Sequence, residues 1–219
     1  MPRSFPPAAN SIFRGSLAAL VILVTVTLAT AMTLQWTPYV TDQQVAIAQP
    51  VPFSHQHHVG GLGIDCRYCH TSVDGSSFAG IPPTKTCMTC HSQLWNSADI
   101  LQPVRDSWQT NKPIEWNRVH NLPQYVLFPH DIHIAKGVGC STCHGQVDQM
   151  PLTWQDKGLQ MAWCLNCHRN PEQYLRPREQ IFNMQYQPPA NQIELGLQLK
   201  KQYEIRPKQT LESCSTCHY

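Results

Sequence analysis

The pattern Cys-x-x-Cys-His occurs five times in this chain and uses every one of its ten cysteines. This pattern is the attachment signature of c-type haem. At such a site the two thiols form thioethers to the porphyrin edge, and the adjacent imidazole ligates the iron. The predicted thioether residues are Cys66, Cys69, Cys87, Cys90, Cys140, Cys143, Cys164, Cys167, Cys214 and Cys217. The predicted proximal ligands are His70, His91, His144, His168 and His218, so the cofactors expected are five haem c.

Other uses of paired cysteines fit this pattern less well. Zinc ribbons also combine Cys-x-x-Cys units, and disulfide-rich domains also have an even number of cysteines. Neither needs a histidine directly after every second cysteine, and zinc would use the pairs two at a time, which leaves one pair over. A redox-active dithiol is usually a single pair.

Composition favours an extended, loop-rich chain. The 219 residues include eighteen prolines against eleven glycines, and five haems would leave little room for a side-chain core. Charged residues make up 14% of the chain and the net charge is +2, which gives no indication of a nucleic-acid partner. We therefore expect a mostly α fold with extensive loops, short helices that carry the haem motifs, and almost no sheet.

The N-terminal region predicts a single membrane span. Residues 17–34 carry no charge, and as a helix they would extend about 27 Å, close to the thickness of the hydrocarbon core. Arg3 and Arg14 precede this stretch and the first acidic residue is Asp42, which predicts a cytoplasmic N-terminus. The haem region would then lie on the periplasmic side of the bacterial inner membrane. The alternative is a cleaved signal peptide, because Ala29–Ala31 resembles a cleavage site.

The haem region contains an internal repeat. A Phe-x-His-x-x-His segment begins at Phe53 before the first motif, and another begins at Phe128 before the third. This repeat predicts two two-haem modules, roughly 50–91 and 118–168, followed by a lone fifth motif. The predicted domains are 1–40 (N-terminal tip and anchor), 41–52 (linker), 53–117 (first module and connector), 118–170 (second module) and 171–219 (fifth haem). Within 190–206 the apolar pattern fits a helix or a strand.

Six histidines lie outside the motifs, nearly the number that five irons need as distal ligands. In each repeat the two histidines are three residues apart, so they emerge on one helix face and can reach two different irons. The predicted distal ligands are His55, His58, His120, His130 and His133, with His57 as the histidine that binds no iron. The alternative at one iron is Met150 or Met161, which would raise its potential, although packing against a porphyrin is the favoured role for both.

Two protein ligands at every iron, in addition to the four porphyrin nitrogens, would leave no position for a substrate. The residues therefore predict an electron-transfer protein without a substrate-converting site of its own. An enzyme would need an open iron, often signalled by a lysine in place of the motif histidine, and all five motifs here end in histidine.

Several segments resemble the pentahaem cytochrome subunit of bacterial alternative complex III. They are Trp116–Pro123, the stretch from Tyr125 through His133 into Cys140–His144, Gly145–Val147 with Met150, and Met161–Arg169. The resemblance covers about 50–168 closely, and the haem-rich core is also similar to small cytochromes of the c3/c7 type. The anchor and the fifth motif fit the family in layout more than in sequence.

The resemblance implies a quinol-oxidising membrane complex with iron–sulfur and polytopic quinol-binding subunits. This chain would pass electrons from them to a monohaem cytochrome c, a cupredoxin or another acceptor in a respiratory or photosynthetic chain. The runner-up interpretation is a stand-alone membrane quinol dehydrogenase cytochrome of the NapC/NrfH type. In that type a ligating methionine often follows the first motif, whereas Thr71 and Ser72 follow it here.

Overall fold

The computed structural model of the chain describes residue 6 and residues 8–219. Arg3, one of the two basic residues that predict the orientation of the anchor, lies outside the described residues, as does the rest of 1–5. The chain divides into two compact units, Met1–Gln43 and Gln44–Tyr219.

The first unit is dominated by one long helix, α1 (Ala9–Leu34), which buries none of its residues. Its length and apolar composition are sufficient to cross a membrane, although a signal sequence near the N-terminus can have the same properties. A short helix, α2 (Pro38–Thr41), follows and begins with proline, a residue favoured in the first helical turn.

The second unit consists of short helices joined by long loops. The α-helices are α3 (Cys66–Cys69), α4 (Thr84–His91), α5 (Gln102–Thr110), α6 (His130–Ala135), α7 (Cys140–His144), α8 (Met161–Arg169), α9 (Gln192–Gln202), α10 (Lys208–Leu211) and α11 (Cys214–Cys217). A π-helical segment spans Gln56–Gly61, and 3₁₀ turns span Asp99–Leu101, Val147–Gln149, Pro171–Gln173 and Arg178–Gln180. Over residues 8–219 the β-pairing consists of isolated bridges, so the expected mostly helical fold without sheet is confirmed.

The sequence predicts a linker at 41–52, and its part from residue 44 onward is hydrogen-bonded to the rest of the second unit. The Gln44 amide donates to the Gln155 carbonyl at 2.7 Å. The Gln49 side chain donates to the Asn117 carbonyl at 2.8 Å and accepts from its amide at 2.9 Å. Residues 44–52 therefore belong to the compact second unit.

Buried apolar side chains form two small clusters in the described part of the chain. One cluster joins Val51 to Leu101 and Val104, and the other is made of Leu175, Leu199 and Tyr203. Cys87 and Met88 of the second motif pack against the first cluster. The second haem motif thus lies at the edge of the first cluster.

Residues 192–202 form the helix α9, whereas the apolar pattern of this stretch fits a helix or a strand. The helix packs on Pro171–Gln173, and Gly196 lies directly against the backbone of Glu172. A Cβ at residue 196 would overlap the Glu172 carbonyl oxygen, so the absence of a side chain permits this close approach.

Replacing Gly196 with alanine is expected to destabilise the protein. The added methyl group must displace backbone atoms of Glu172, and overpacking of this kind typically costs about 1–3 kcal/mol. Thermal unfolding followed by circular dichroism measures the effect. Gly75→Ala is the matched control, because a Cβ there meets no atom within 4 Å. Equal melting temperatures for the two variants would contradict this account of the α9 contact.

Candidate haem sites

Each haem motif lies on or beside one turn of helix, and the spacing explains why. Two cysteines three residues apart on a helix emerge on the same face, so both thiols can reach one cofactor edge. In α3 the turn is capped by Asp65, whose carboxylate accepts a hydrogen bond from the Arg67 amide at 2.8 Å. In α4, α7 and α8 the histidine continues the helix, whereas His218 follows α11 in extended backbone.

None of the ten cysteines is paired in a disulfide, so each is available for a thioether bond. Burial raises the pKa of Cys143 to about 12 and that of Cys140 to about 11, so both thiols are protonated at neutral pH. Neighbouring thiols are a second cause: Cys87 raises the pKa of Cys69, Cys167 and Cys164 raise that of Cys143, and Cys217 raises that of Cys164. Thiols of different motifs therefore lie near one another.

Four of the five motif histidines have Nδ1 held by a backbone carbonyl. The pairs are His70 with Gly80 at 2.7 Å, His91 with Leu94 at 3.0 Å, His168 with Leu211 at 3.0 Å and His218 with Tyr125 at 3.3 Å. A ring that donates from Nδ1 keeps the lone pair on Nε2. Ligating histidines in metal sites are usually held in this way.

Four of the six remaining histidines also have Nδ1 in a hydrogen bond, three with a backbone carbonyl and one with a side-chain hydroxyl. Nδ1 lies 2.9 Å from the Thr153 hydroxyl in His55, 2.9 Å from the Ser54 carbonyl in His58, 3.1 Å from the Ser77 carbonyl in His130 and 2.7 Å from the Pro129 carbonyl in His133. These are the four histidines of the two Phe-x-His-x-x-His segments, and each can present Nε2 to a metal.

The two segments repeat in geometry as well as in sequence. The ring centres of Phe53 and His58 are 4.4 Å apart, and those of Phe128 and His133 are 4.5 Å apart. The first histidine of each segment meets the same phenylalanine edge-on, at 4.9 Å for His55 and 4.8 Å for His130. The phenylalanine therefore fixes both histidine rings in each copy.

Three of these rings face a motif histidine at a similar separation. The ring centres are 6.2 Å apart for His58 and His91, 6.4 Å for His130 and His144, and 6.3 Å for His133 and His168. Two imidazoles that bind one metal from opposite sides, each at a metal–nitrogen distance of about 2 Å, have ring centres about 6 Å apart. The separations fit a shared metal.

The other two free histidines differ. Nε2 of His120 lies 3.1 Å from Nδ1 of His144, so the predicted fifth distal ligand contacts the ring of the third motif histidine. His57 stacks on Trp95 with the ring centres 6.0 Å apart. In this structure His218 packs against the ring of Tyr125, at 5.8 Å.

Burial keeps the central imidazoles neutral. It lowers the pKa of His144 to about 3, with His120 as the next cause, and it lowers that of His55 to about 4, followed by the effect of His70. Burial also lowers the pKa of His120 and His133. A neutral imidazole is the form that binds a metal.

The two candidate methionine ligands have opposite environments. Met150 is 1% exposed, and its carbonyl accepts a hydrogen bond from Gln56 at 3.0 Å. Met161 is 62% exposed at the first position of α8, one turn before Cys164 and on the same helix face.

Arg176 supports the third motif and was not singled out by the sequence. Its side chain is buried and donates to the hydroxyls of Ser141 and Thr142, at 3.1 and 3.2 Å. It also lies 4.6 Å above the ring of Tyr186. A single arginine between a leucine and a proline carries no sequence signal for this role, because the two hydroxyls that it binds lie more than thirty residues away.

Haem c attachment needs paired cysteines outside disulfides and imidazoles that present Nε2, and the chain supplies both, with three pairs of imidazole rings about 6 Å apart. The residues present therefore fit the predicted cofactor. Among residues 6 and 8–219, no three His, Cys, Asp or Glu side chains converge on one point as they would around a metal ion bound by side chains alone.

Comparison with known proteins agrees with this chemistry. A family model described as cytochrome c7 and related cytochrome c matches residues 126–219, which include the last three motifs. The chain is also similar to two curated proteins over more than half of its length.

The first relative is the menaquinone reductase multiheme cytochrome c subunit of Nitratidesulfovibrio vulgaris. It is 30% identical over 143 residues, which cover 56% of this chain and 68% of that protein. The second is the cytochrome c-type protein NrfB of Escherichia coli, 36% identical over 133 residues that cover 52% of this chain and 68% of that protein.

Proposed function

The chain belongs to the multihaem cytochrome c family, and we propose that it carries five haem c groups and relays electrons from a quinol-oxidising membrane complex to a periplasmic or membrane acceptor. The observation that carries this proposal is the set of five Cys-x-x-Cys-His turns combined with histidine rings that face three of them. Haem c supplies the one-electron chemistry when bound, and the chain sets the spacing and the ligands.

The side chains of the motifs would attach the haems and hold the iron-binding imidazoles in fixed orientations. The ten motif cysteines attach the cofactors, and the motif histidines His70, His91, His144, His168 and His218 bind iron through Nε2. Hydrogen bonds from Nδ1 to carbonyls orient four of these rings, and the contact with His120 orients His144. A fixed ligand set needs little rearrangement between oxidation states, which favours fast electron transfer.

Four distal ligands come from the two repeated segments. The three ring separations support three ligand pairs. His58 would bind the same iron as His91, His130 the same iron as His144, and His133 the same iron as His168. His55 is the remaining histidine of the two segments, and it would bind the iron that His70 holds; after burial, His70 is the next cause of the lowered pKa of His55, so the two residues lie near each other. Irons held by two histidines would be low-spin and would have no position open to a substrate.

The sequence predicts His120 as the fifth distal ligand, with Met161 among the alternatives, and we propose that Met161 would bind the iron that His218 holds. Met161 is exposed on α8, and α8 packs against α10, which directly precedes the fifth motif. His120 could bind an iron through Nε2 only if its ring left His144. Met150 is enclosed by protein and serves packing.

Replacing Met161 with leucine tests this ligand. We expect the thioether–iron absorption band to disappear and one iron to become five-coordinate and high-spin, as electronic absorption and electron paramagnetic resonance measure. Methionine ligation raises a haem potential, so the highest potential of the set should fall. Met88→Leu is the control, because Met88 packs on the Val51 cluster. An unchanged Met161→Leu spectrum, with a high-spin iron in His120→Asn, would identify His120 as the ligand instead.

The membrane assignment rests on α1 and on the relative that is a subunit of a menaquinone reductase. We propose that α1 anchors the chain in the bacterial inner membrane with the haem region on the periplasmic side. The complex would be of the alternative complex III type, with iron–sulfur and polytopic quinol-binding subunits as donors. A monohaem cytochrome c or a cupredoxin would accept the electrons.

The experiment is to extract the protein from its native membrane in mild detergent, identify what co-purifies and add a quinol. Co-purification of polytopic and iron–sulfur subunits, with haem reduction that depends on them, is the expected result. If the cytochrome came out alone and quinol still reduced it, the stand-alone NapC/NrfH-type assignment would replace the complex.

A further inference from the structure

The second and first motifs lie side by side. The hydroxyl of Tyr68, inside the first motif, is 2.8 Å from the hydroxyl of Thr89, inside the second. Both residues occupy the position just before the second cysteine of their motif. The two attachment turns therefore touch through equivalent residues.

The first and third motifs are joined through residues 181–182. The guanidinium of Arg67, in the first motif, lies 4.4 Å from the ring centre of Phe182. The amide of Cys140, which begins the third motif, donates to the carbonyl of Ile181 at 3.1 Å. One short segment thus contacts both attachment turns.

The third and fourth motifs are linked by α6. Its two histidines are one turn apart, and they face the histidines of these two motifs: His130 faces His144 at 6.4 Å, and His133 faces His168 at 6.3 Å. A single helical turn therefore sets the distance between the third and fourth sites.

The fourth and fifth motifs meet through the residues that precede the fifth. His168 donates from Nδ1 to the Leu211 carbonyl at 3.0 Å, and Arg169 forms an ion pair with Glu212 at 3.0 Å. Leu211 and Glu212 come just before Cys214. The C-terminal turn is thereby held against α8.

From these four contacts we propose that the haem sites form a single file in the order second, first, third, fourth, fifth, which differs from their order in the sequence. Cys90 and Cys214, in the two terminal motifs, are exposed, whereas the other eight cysteines are half-buried. Electrons that cross the whole chain thus enter or leave at the second and fifth motifs. This inference rests on the proposed presence of five haems.

A structure of the haem-loaded full-length protein by cryo-electron microscopy tests the order. The nearest neighbours of the iron at His70 should be the irons at His91 and His144. An iron at His70 that lies at one end, or an iron at His91 whose nearest neighbour is not the iron at His70, would overturn the proposal. Fewer than five haems in the map would instead contradict the proposed function, so the two failures are distinguishable.

Paired variants give a second measurement. The substitutions Cys87→Ala and Cys90→Ala remove an end site, and the remaining four irons should form an unbroken row. Cys66→Ala and Cys69→Ala remove an interior site, and the iron at His91 should be left isolated from the other three. Iron anomalous scattering locates the irons in each variant. Four irons in an unbroken row without the first site would contradict the order.

Discussion

Replacing Cys140 and Cys143 together with alanine is expected to remove one haem and to stop electrons from crossing the chain. The third motif lies in the middle of the proposed file, and burial lowers the pKa of its histidine, His144, to about 3. Without these thiols nothing attaches the central cofactor covalently. Intact mass should show four haems in place of five, and electron transfer between the terminal sites should fall to background.

The matched control removes a terminal cofactor instead. Cys214→Ala with Cys217→Ala should also lower the haem count by one, but the other four sites remain contiguous and continue to exchange electrons. Stopped-flow reduction of each variant distinguishes them. If both variants passed electrons among their four haems equally well, the third site would not be central.

Replacing His58 with alanine is expected to leave one iron five-coordinate. The His58 ring faces His91 at 6.2 Å, and its Nδ1 is held by the Ser54 carbonyl, so Nε2 is available to a metal. The loss should convert one low-spin iron to high-spin and open it to an added ligand such as carbon monoxide. Electron paramagnetic resonance and carbon monoxide difference spectra measure these changes.

His57→Ala is the control for this substitution. His57 is the next residue in the chain, but its ring stacks on Trp95 and is exposed. Its removal should leave every iron low-spin. A high-spin iron in His57→Ala and none in His58→Ala would reverse the assignment of the two histidines.

Local chemistry in this chain could be predicted from the sequence because the motifs carry it. The turn at each Cys-x-x-Cys follows from spacing, and the Phe-x-His-x-x-His repeat predicts equivalent rings, which occur at 4.4 and 4.5 Å from their phenylalanines. The mostly helical fold follows from the same short turns.

Features that depend on distant partners could not be predicted. Residues 192–202 pack as a helix in which Gly196 lies against the backbone of Glu172, a contact that the local sequence does not reveal. The role of Arg176 likewise depends on its hydrogen bonds to Ser141 and Thr142. Counting histidines predicts His120 as a distal ligand, and this stays a prediction, but the count carries no information about the contact of His120 with His144. The order of the motifs in space likewise depends on contacts between segments far apart in the sequence.

Intact-mass spectrometry of the native, haem-loaded chain tests the central claim most directly. Because thioether bonds survive denaturation, the mass should exceed that of the polypeptide by five haem groups, with no thiol left to react with an alkylating reagent. A mass increase of four haems or fewer, with an alkylated cysteine pair, would contradict the assignment of a five-haem electron relay.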